Sequence, residues 1–334
     1  MAKNDFDKLY DGIVKNAKAD FIEARINNDT IITKKKKKFG ISIGILLIIE
    51  SILIYFLAIT KNLTVAIIFC LVLIVIIGLL LSLMRFSENK PIIGFNELYK
   101  TKVIKPIINH IWRNAKYDYG RCLPEEEYNA NLFQEDYSIY ESDDYVELID
   151  DNCCFAEVNT KTTNNAGENT SYITCFNGIA GVKKLNKNIN CTFSVVSNYT
   201  FSIISPKPFD IDNTKFNEYY DIFMNDKDKL KIFEILTPDV MQDMLDKIKS
   251  DGITFDFAIA NDKLYFKIYI QNKRKAASMA LFSLTGNTYD SHELFECNYD
   301  DPLNKDDIYE SYETFQSVKN VIYFLTKITE DADI

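Results

Sequence analysis

The chain has 334 residues, with 26% charged, 13% aromatic and a formal net charge of −10. That negative balance sits almost wholly in residues 91–334, which hold 25 basic and 40 acidic side chains, so electrostatics disfavours a nucleic-acid partner. Seven cysteines, an odd number with Cys153 and Cys154 adjacent, fit reduced thiols rather than a disulfide framework.

In chain order, the first predicted element is an amphipathic helix over residues 3–30, with Phe6, Tyr10, Ile13 and Ala17 on one stripe. Together with the basic run that follows it, this makes an N-terminal cytoplasmic segment, residues 1–38. Residues 39–84 are a near-continuous apolar block interrupted by Lys61-Asn62. Each half is long enough to cross a hydrocarbon core of about 30 Å as a helix, which predicts a transmembrane helical hairpin. The first half, Phe39 to Thr60, holds fourteen Ile, Leu or Phe residues and one acid. Their summed preference of roughly 6 kcal/mol outweighs the cost of about 3 kcal/mol for that acid, Glu50.

Basic residues flank the block on both outer sides, so both termini are expected on the cytoplasmic side of a cell membrane, with Lys61 facing out. Lys34, Lys35, Lys36, Lys37 and Lys38 act as the topology signal and are also the candidate lipid-headgroup contacts. Glu50 is the one membrane-buried polar candidate and has no basic residue within the hairpin. It must be protonated, reach water, or meet another chain, which leaves a homo-oligomer open.

A post-membrane helix is predicted over Phe95 to Asn114, with a kink or restart at Pro106, within a segment 85–122. Pro124 followed by three glutamates starts a short helix and opens a cytoplasmic α+β domain, residues 123–334. Tyr145–Ile149 and Cys153–Val158 form a hairpin across Asp150-Asp151-Asn152. Asn159–Thr170 reads as a polar loop. Ser171–Gly181 and Cys191–Ser205 supply further strands, with a turn at Asn186–Asn190 between them.

Thr237-Pro238-Asp239 reads as an N-cap, a first-turn proline and an acid facing the dipole, and Gly252 closes that helix. Ile253–Ala260 and Leu264–Ile270 alternate as a half-buried antiparallel hairpin. A final helix runs from about Lys305 to Thr329. The fold class expected is therefore α+β: a two-helix membrane hairpin plus a domain with antiparallel sheet and flanking helices.

The residues Phe216, Tyr220, Ile222, Asp226, Ile235-Leu236-Thr237-Pro238, Met241 and Leu245 form a pattern of spaced aromatics, an acid, Ile-Leu-Thr-Pro and an apolar helix stripe. In this the chain resembles the bacterial domain-of-unknown-function family 3137. It departs at Tyr220, where phenylalanine is usual, and at Glu147, where glycine is expected. The resemblance implies a membrane-tethered bacterial protein and implies no activity. The motif residues are explained by structure: Thr237 caps, Pro238 starts the helix, Met241 and Leu245 pack.

No Walker lysine motif, dinucleotide fingerprint, nucleophile elbow or kinase set is present, and no cofactor is implied. Gly178-Ile-Ala-Gly181 is too short for a phosphate cradle. His110 and His292 have no metal-ligand company at short spacing. The acids Asp143, Asp144, Glu147, Asp150 and Asp151 are the only metal candidates, for Mg²⁺ or Ca²⁺ if the fold brings two or three together. Asp239, Asp243 and Asp246 share a solvated helix face.

The leading expectation is a membrane-anchored scaffold or protein-interaction module with an unidentified protein partner and no enzymatic activity. The alternative is a membrane-surface enzyme, metal-dependent through the Asp143–Asp151 acids.

Overall fold

A computed structural model describes residues 2–59, 94–166, 169–197, 208–251, 253–270, 294–295 and 297–330. The chain divides into two compact units. One holds residues 1–11, 100–296 and 305–334, and the other holds 12–99 and 297–304.

Helix α1, Ala2–Ile59, is continuous. The break expected between an amphipathic and an apolar helix is absent, because residues 31–38 include five lysines, good helix formers, and no proline or glycine to stop the ladder. In the smaller unit, Phe21 meets Phe95 edge-on at 5.1 Å, Arg25 donates to the Tyr299 and Asp300 carbonyls, and Asn96 Oδ1 accepts from the Cys297 amide. These contacts pin α1 to α2, Phe95–Tyr99. Among the described residues no helix is long and apolar enough to cross a membrane. Most side chains from 41 to 59, Glu50 among them, and all of 60–93 lie outside the described residues, and with them the second span and the Lys61 turn.

The larger unit is built on one eight-stranded antiparallel sheet, ordered β1-β2-β3-β4-β8-β7-β5-β6. The strands are β1 Ala115–Asp118, β2 Ile139–Leu148, β3 Cys153–Ala166, β4 Asn169–Lys184, β5 Thr192–Ser197, β6 Tyr220–Met224, β7 Thr254–Ala260 and β8 Lys263–Tyr269. The α+β class and antiparallel sheet follow the sequence reading. The polar stretch expected as a loop does not: β3 and β4 stay paired out to Ala166↔Asn169. Its Thr and Asn lie along two strands whose backbone groups satisfy each other, so a polar run here does not mean a loop, and Asn159, Thr160 and Lys161 at its start are buried.

One sheet face carries Phe155, Phe255, Phe257 and Phe266 beneath helices. The π-helix Lys100–Ile104 and α3, Lys105–Ile111, cover one end of it. Pro106, which has no amide to donate, lies in the first turn of α3 directly after the π-turn, so the expected kink takes the form of a widened turn. Trp112 then packs at 5.5 Å from Phe155 and 6.3 Å from Phe315 of α8, Lys305–Glu330. The start of α1 belongs to the same layer: Phe6 lies 4.8 Å from Tyr309 and 5.3 Å from Tyr312, and Lys305 pairs with Asp7 at 2.6 Å.

The other face is covered by residues 121–137, including α4, Glu125–Tyr128, and a 3₁₀ turn, Ala130–Phe133. Leu123 and Tyr128 pack with Tyr145, Val158 and Phe176, while Phe133 packs with Val182, Val196 and Ala258. This second cover corrects the half-buried hairpin expected for β7 and β8. Both strands are buried through their middle on both faces, so Asp256 and Lys267, which the alternation assigns to solvent, are inside.

The motif residues form a corner of the core. A short helix α5, Thr214–Asn217, leads into β6, and Phe216 stacks on Tyr220 at 5.0 Å. Helix α6, Lys229–Ile235, then delivers Leu236 into the core. In α7, Pro238–Asp251, Thr237 Oγ1 accepts from the Val240 amide at 3.3 Å, and Met241 and Leu245 are buried. Gly252 lies outside the described residues.

Candidate functional site: a closed carboxylate cluster

Asp143 and Glu157 are direct cross-strand partners on β2 and β3. Two like charges opposite one another are unfavourable, so something must hold them there. Immediately after Asp143 the register slips by one residue, and Asp144 takes a left-handed conformation with φ 55°. A bulge of this kind re-aims a side chain. Here it turns Asp144 inward, so that oxygens of Asp143, Asp144 and Glu157 lie within 4.8 Å of one another.

Lys100, the first residue of the π-helix, closes the cluster. Its Nζ donates to Asp143 Oδ2 at 2.8 Å and lies 2.9 Å from Asp144 Oδ2, the latter without hydrogen-bond alignment. Tyr117 Oη of β1 donates to Asp144 Oδ1, and the Leu294 amide donates to Glu157 Oε1 at 2.6 Å. Glu157 Oε2 is buried with no hydrogen-bond partner among the described residues.

Burial sets the electrostatics. It pushes Asp144 up to about 6, even though Lys100 pulls the other way. Glu157 is held well above the usual carboxylate range by burial and then by Asp143 and Asp144. For Lys100, burial favours the neutral form, but Asp144 and Asp143 together outweigh it and hold the ammonium above its ordinary value. Burial and Asp144 likewise keep the Tyr117 phenol protonated well beyond its ordinary range.

Of the acids singled out in the sequence, only Asp143 and Asp144 meet here. Asp150 and Asp151 are exposed in the β2–β3 turn, where Asp150 accepts from Asn114 at 2.6 Å, and Glu147 points to the opposite face toward Lys116. Glu157, Lys100 and Tyr117 were not singled out. Glu157 sits inside an apolar strand pattern, where a single buried acid was the available signal. His110 is at the surface against Asp5 at 2.9 Å. Lys34 and Lys37 are exposed, and the side chains of Lys35, Lys36 and Lys38 lie outside the described residues.

Residues 174–327 match the family model described as Protein of unknown function (DUF3137). Over that stretch the chain is similar to the DUF3137 family. No curated protein and no solved structure matches the chain. The DUF3137 stretch takes in most of β4, the strands β5 to β8 and most of α8, with the motif corner around Thr237 inside it. Lys100, Tyr117, Asp143, Asp144 and Glu157 all precede it. The carboxylate cluster is thus built by strands added to the edge of the DUF3137 segment.

A second buried polar group lies within that segment. Asp256 accepts from the Ser197 amide and from Tyr269 Oη, both at 2.7 Å. Burial pushes it up to about 6, against the pull of those hydrogen bonds and of Lys267. A carboxyl whose folded value is raised above its ordinary 3.8 stabilises the fold most at low pH. That contribution is full below about pH 4 and is lost as pH rises through about 6. At about 1.36 kcal/mol per unit it amounts to roughly 3 kcal/mol. Asp256→Asn should therefore remove about that much of the wild-type decline in stability between pH 4 and 7, read from pH-dependent unfolding by Trp112 fluorescence. Parallel wild-type and variant curves would contradict it.

Proposed function

We propose that the protein is a membrane-anchored interaction module rather than an enzyme. The observation that carries this reading is the closure of the carboxylate cluster. With 6% side-chain exposure for Lys100 and 1% for Asp144, the only convergent acids among the described residues that resemble a reacting centre face their own lysine. A metal-dependent enzyme at these acids would need an open face for substrate. The β3–β4 ribbon offers the contrasting surface. It projects past the last pairings of β2 and β8 and presents Tyr172 and Ile173, 58% and 50% exposed. Among the described residues no strand pairs with their outer edges there, and such edges with exposed apolar side chains suit a protein partner.

The anchor is the apolar block 39–84, both termini lying on the cytoplasmic side, and the support for it is the sequence. The helical run of α1 from 39 to 59 would reach about 31 Å, the thickness of a hydrocarbon core. Self-association through Glu50 belongs to the same reading.

Two probes test it. In a cysteine-free background, Lys61→Cys should react with an impermeant maleimide on intact cells, while Asn169→Cys should react only after permeabilisation. Labelling of Asn169→Cys on intact cells would reverse the orientation. A photoreactive residue at Tyr172 should give an adduct of discrete size, lost when the residue is moved to Glu126. With protein present in the membrane, no adduct at either position would remove the module reading.

A further inference from the structure

The Asp143–Asp144–Glu157 cluster has more negative than positive side chains. Three carboxyl groups face one ammonium, and Lys100 reaches only two of them. The third, Glu157, is 3% exposed, offers an oxygen within 4.8 Å of the other two carboxylates, and has its buried Oε2 without a hydrogen-bond partner among the described residues. A buried oxygen left in this state lacks a donor or a cation. We propose that these three residues bind a hard divalent cation, for which the Lys100 ammonium is the exchangeable occupant.

The donor set and its dimensions fit. All three ligands are carboxylate oxygens, the choice of Ca²⁺, Mg²⁺ or Mn²⁺ over softer metals. Oxygens on opposite sides of a Ca²⁺ ion lie about 4.6–5.2 Å apart, and those here fall within 4.8 Å of one another. The flanking elements are irregular, as is common at functional sites: a π-turn presents Lys100, and the Asp143–Asp144 bulge brings two consecutive carboxylates to the cluster. Asp143 is the third-exposed member and gives the entry path. When the dication enters, the Lys100 ammonium swings out and the Glu157 proton passes to solvent, leaving three carboxylates on two positive charges. The site goes beyond the module reading and does not depend on it, since a bound cation at a closed cluster needs no substrate.

The test uses the full chain purified in detergent micelles, with Mn²⁺ alone as the probe, free Mn²⁺ followed by its EPR signal and unfolding followed by Trp112 fluorescence. Wild type should take up one equivalent, and its melting temperature should rise with Mn²⁺. Glu157→Gln should weaken uptake by about tenfold or more, because it replaces an anionic ligand with a neutral one while keeping an acceptor for the Leu294 amide. Lys100→Met should tighten uptake and show a larger Mn²⁺-induced rise in melting temperature, because the competing ammonium is gone. Should Lys100→Met fold only with Mn²⁺, that too supports the site. Equal uptake by wild type and Glu157→Gln overturns the proposal, as does no uptake by folded wild type, which would leave Glu157 holding a proton only.

Discussion

Lys267→Ala is expected to destabilise the sheet unit by about 3–5 kcal/mol, the range for removing one partner of a buried ion pair. Lys267 and Glu135 are 1% and 2% exposed at their side chains and pair directly. Glu135 also accepts from Tyr128 Oη at 2.8 Å and from Thr160 Oγ1. The ammonium is enclosed by rings: its Nζ is 4.4 Å from the centroids of Tyr128 and Phe133 and 5.3 Å from that of Phe176. Burial lowers the lysine's pKa, while Glu135 opposes that shift. Truncation strands the Glu135 charge in the core and removes the cation from three aromatic faces. Glu135→Gln combined with Lys267→Met keeps an acceptor for one hydroxyl, gives the other an amide N–H to accept from, and fills the cage with an apolar chain. That double variant should regain most of the loss. Denaturant unfolding monitored at the single tryptophan, Trp112, gives both numbers. A cost for Lys267→Ala below about 1 kcal/mol would mean that water enters and the pair is not buried in solution.

Gly181→Ala should be comparably severe, against the usual expectation that alanine improves a strand over glycine. A Cβ at Gly181 would come 2.4 Å from the Cys154 carbonyl oxygen and 2.6 Å from both Phe155 Cβ and Phe266 Cζ. At Gly178 it would come 2.2 Å from the Ile268 carbonyl oxygen. In each case backbone has to move at the centre of an eight-stranded sheet, so the cost should reach or exceed the usual overpacking range of about 1–3 kcal/mol. Gly120→Ala is the control: its nearest neighbour would be Asp118 Oδ1 at 3.7 Å, an ordinary contact. Equal melting temperatures for Gly181→Ala and Gly120→Ala would show that β3 and β4 are farther apart than described. These glycines also settle Gly178-Ile-Ala-Gly181, which lies mid-strand and serves close strand packing rather than phosphate.

What could be read from the chain was local. The Thr237 cap, the β7–β8 hairpin and the extent of α8 each follow from residues within a few positions of one another. What could not be read depends on pairing at a distance. Glu157 becomes a site residue only because β2 sets Asp143 opposite it, and Lys100 joins from 43 positions earlier in sequence. Asp256 and Lys267 look solvent-facing by alternation. The cover over them comes from residues 121–137, whose two short helices give almost no periodic signal. The β3–β4 ribbon was missed for a different reason. Thr and Asn are as common in loops as on a solvated strand pair, and only the ladder tells them apart.

The packing of Phe6 against Tyr309 and Tyr312 also has a bearing on synthesis. The first turns of α1 are made roughly 300 residues before their partner helix. At about 5–20 residues per second, that is a wait of roughly 15–60 s. Over that interval Phe6 has only Tyr10 of its own helix beside it and lacks Tyr309 and Tyr312, and Asp7 lacks Lys305. A nascent chain stopped ahead of residue 305 would expose this aromatic stripe for as long as it lives, making it a substrate for chaperones and proteases. The contact between α1 and α8 therefore closes only once residues 305–312 have been made.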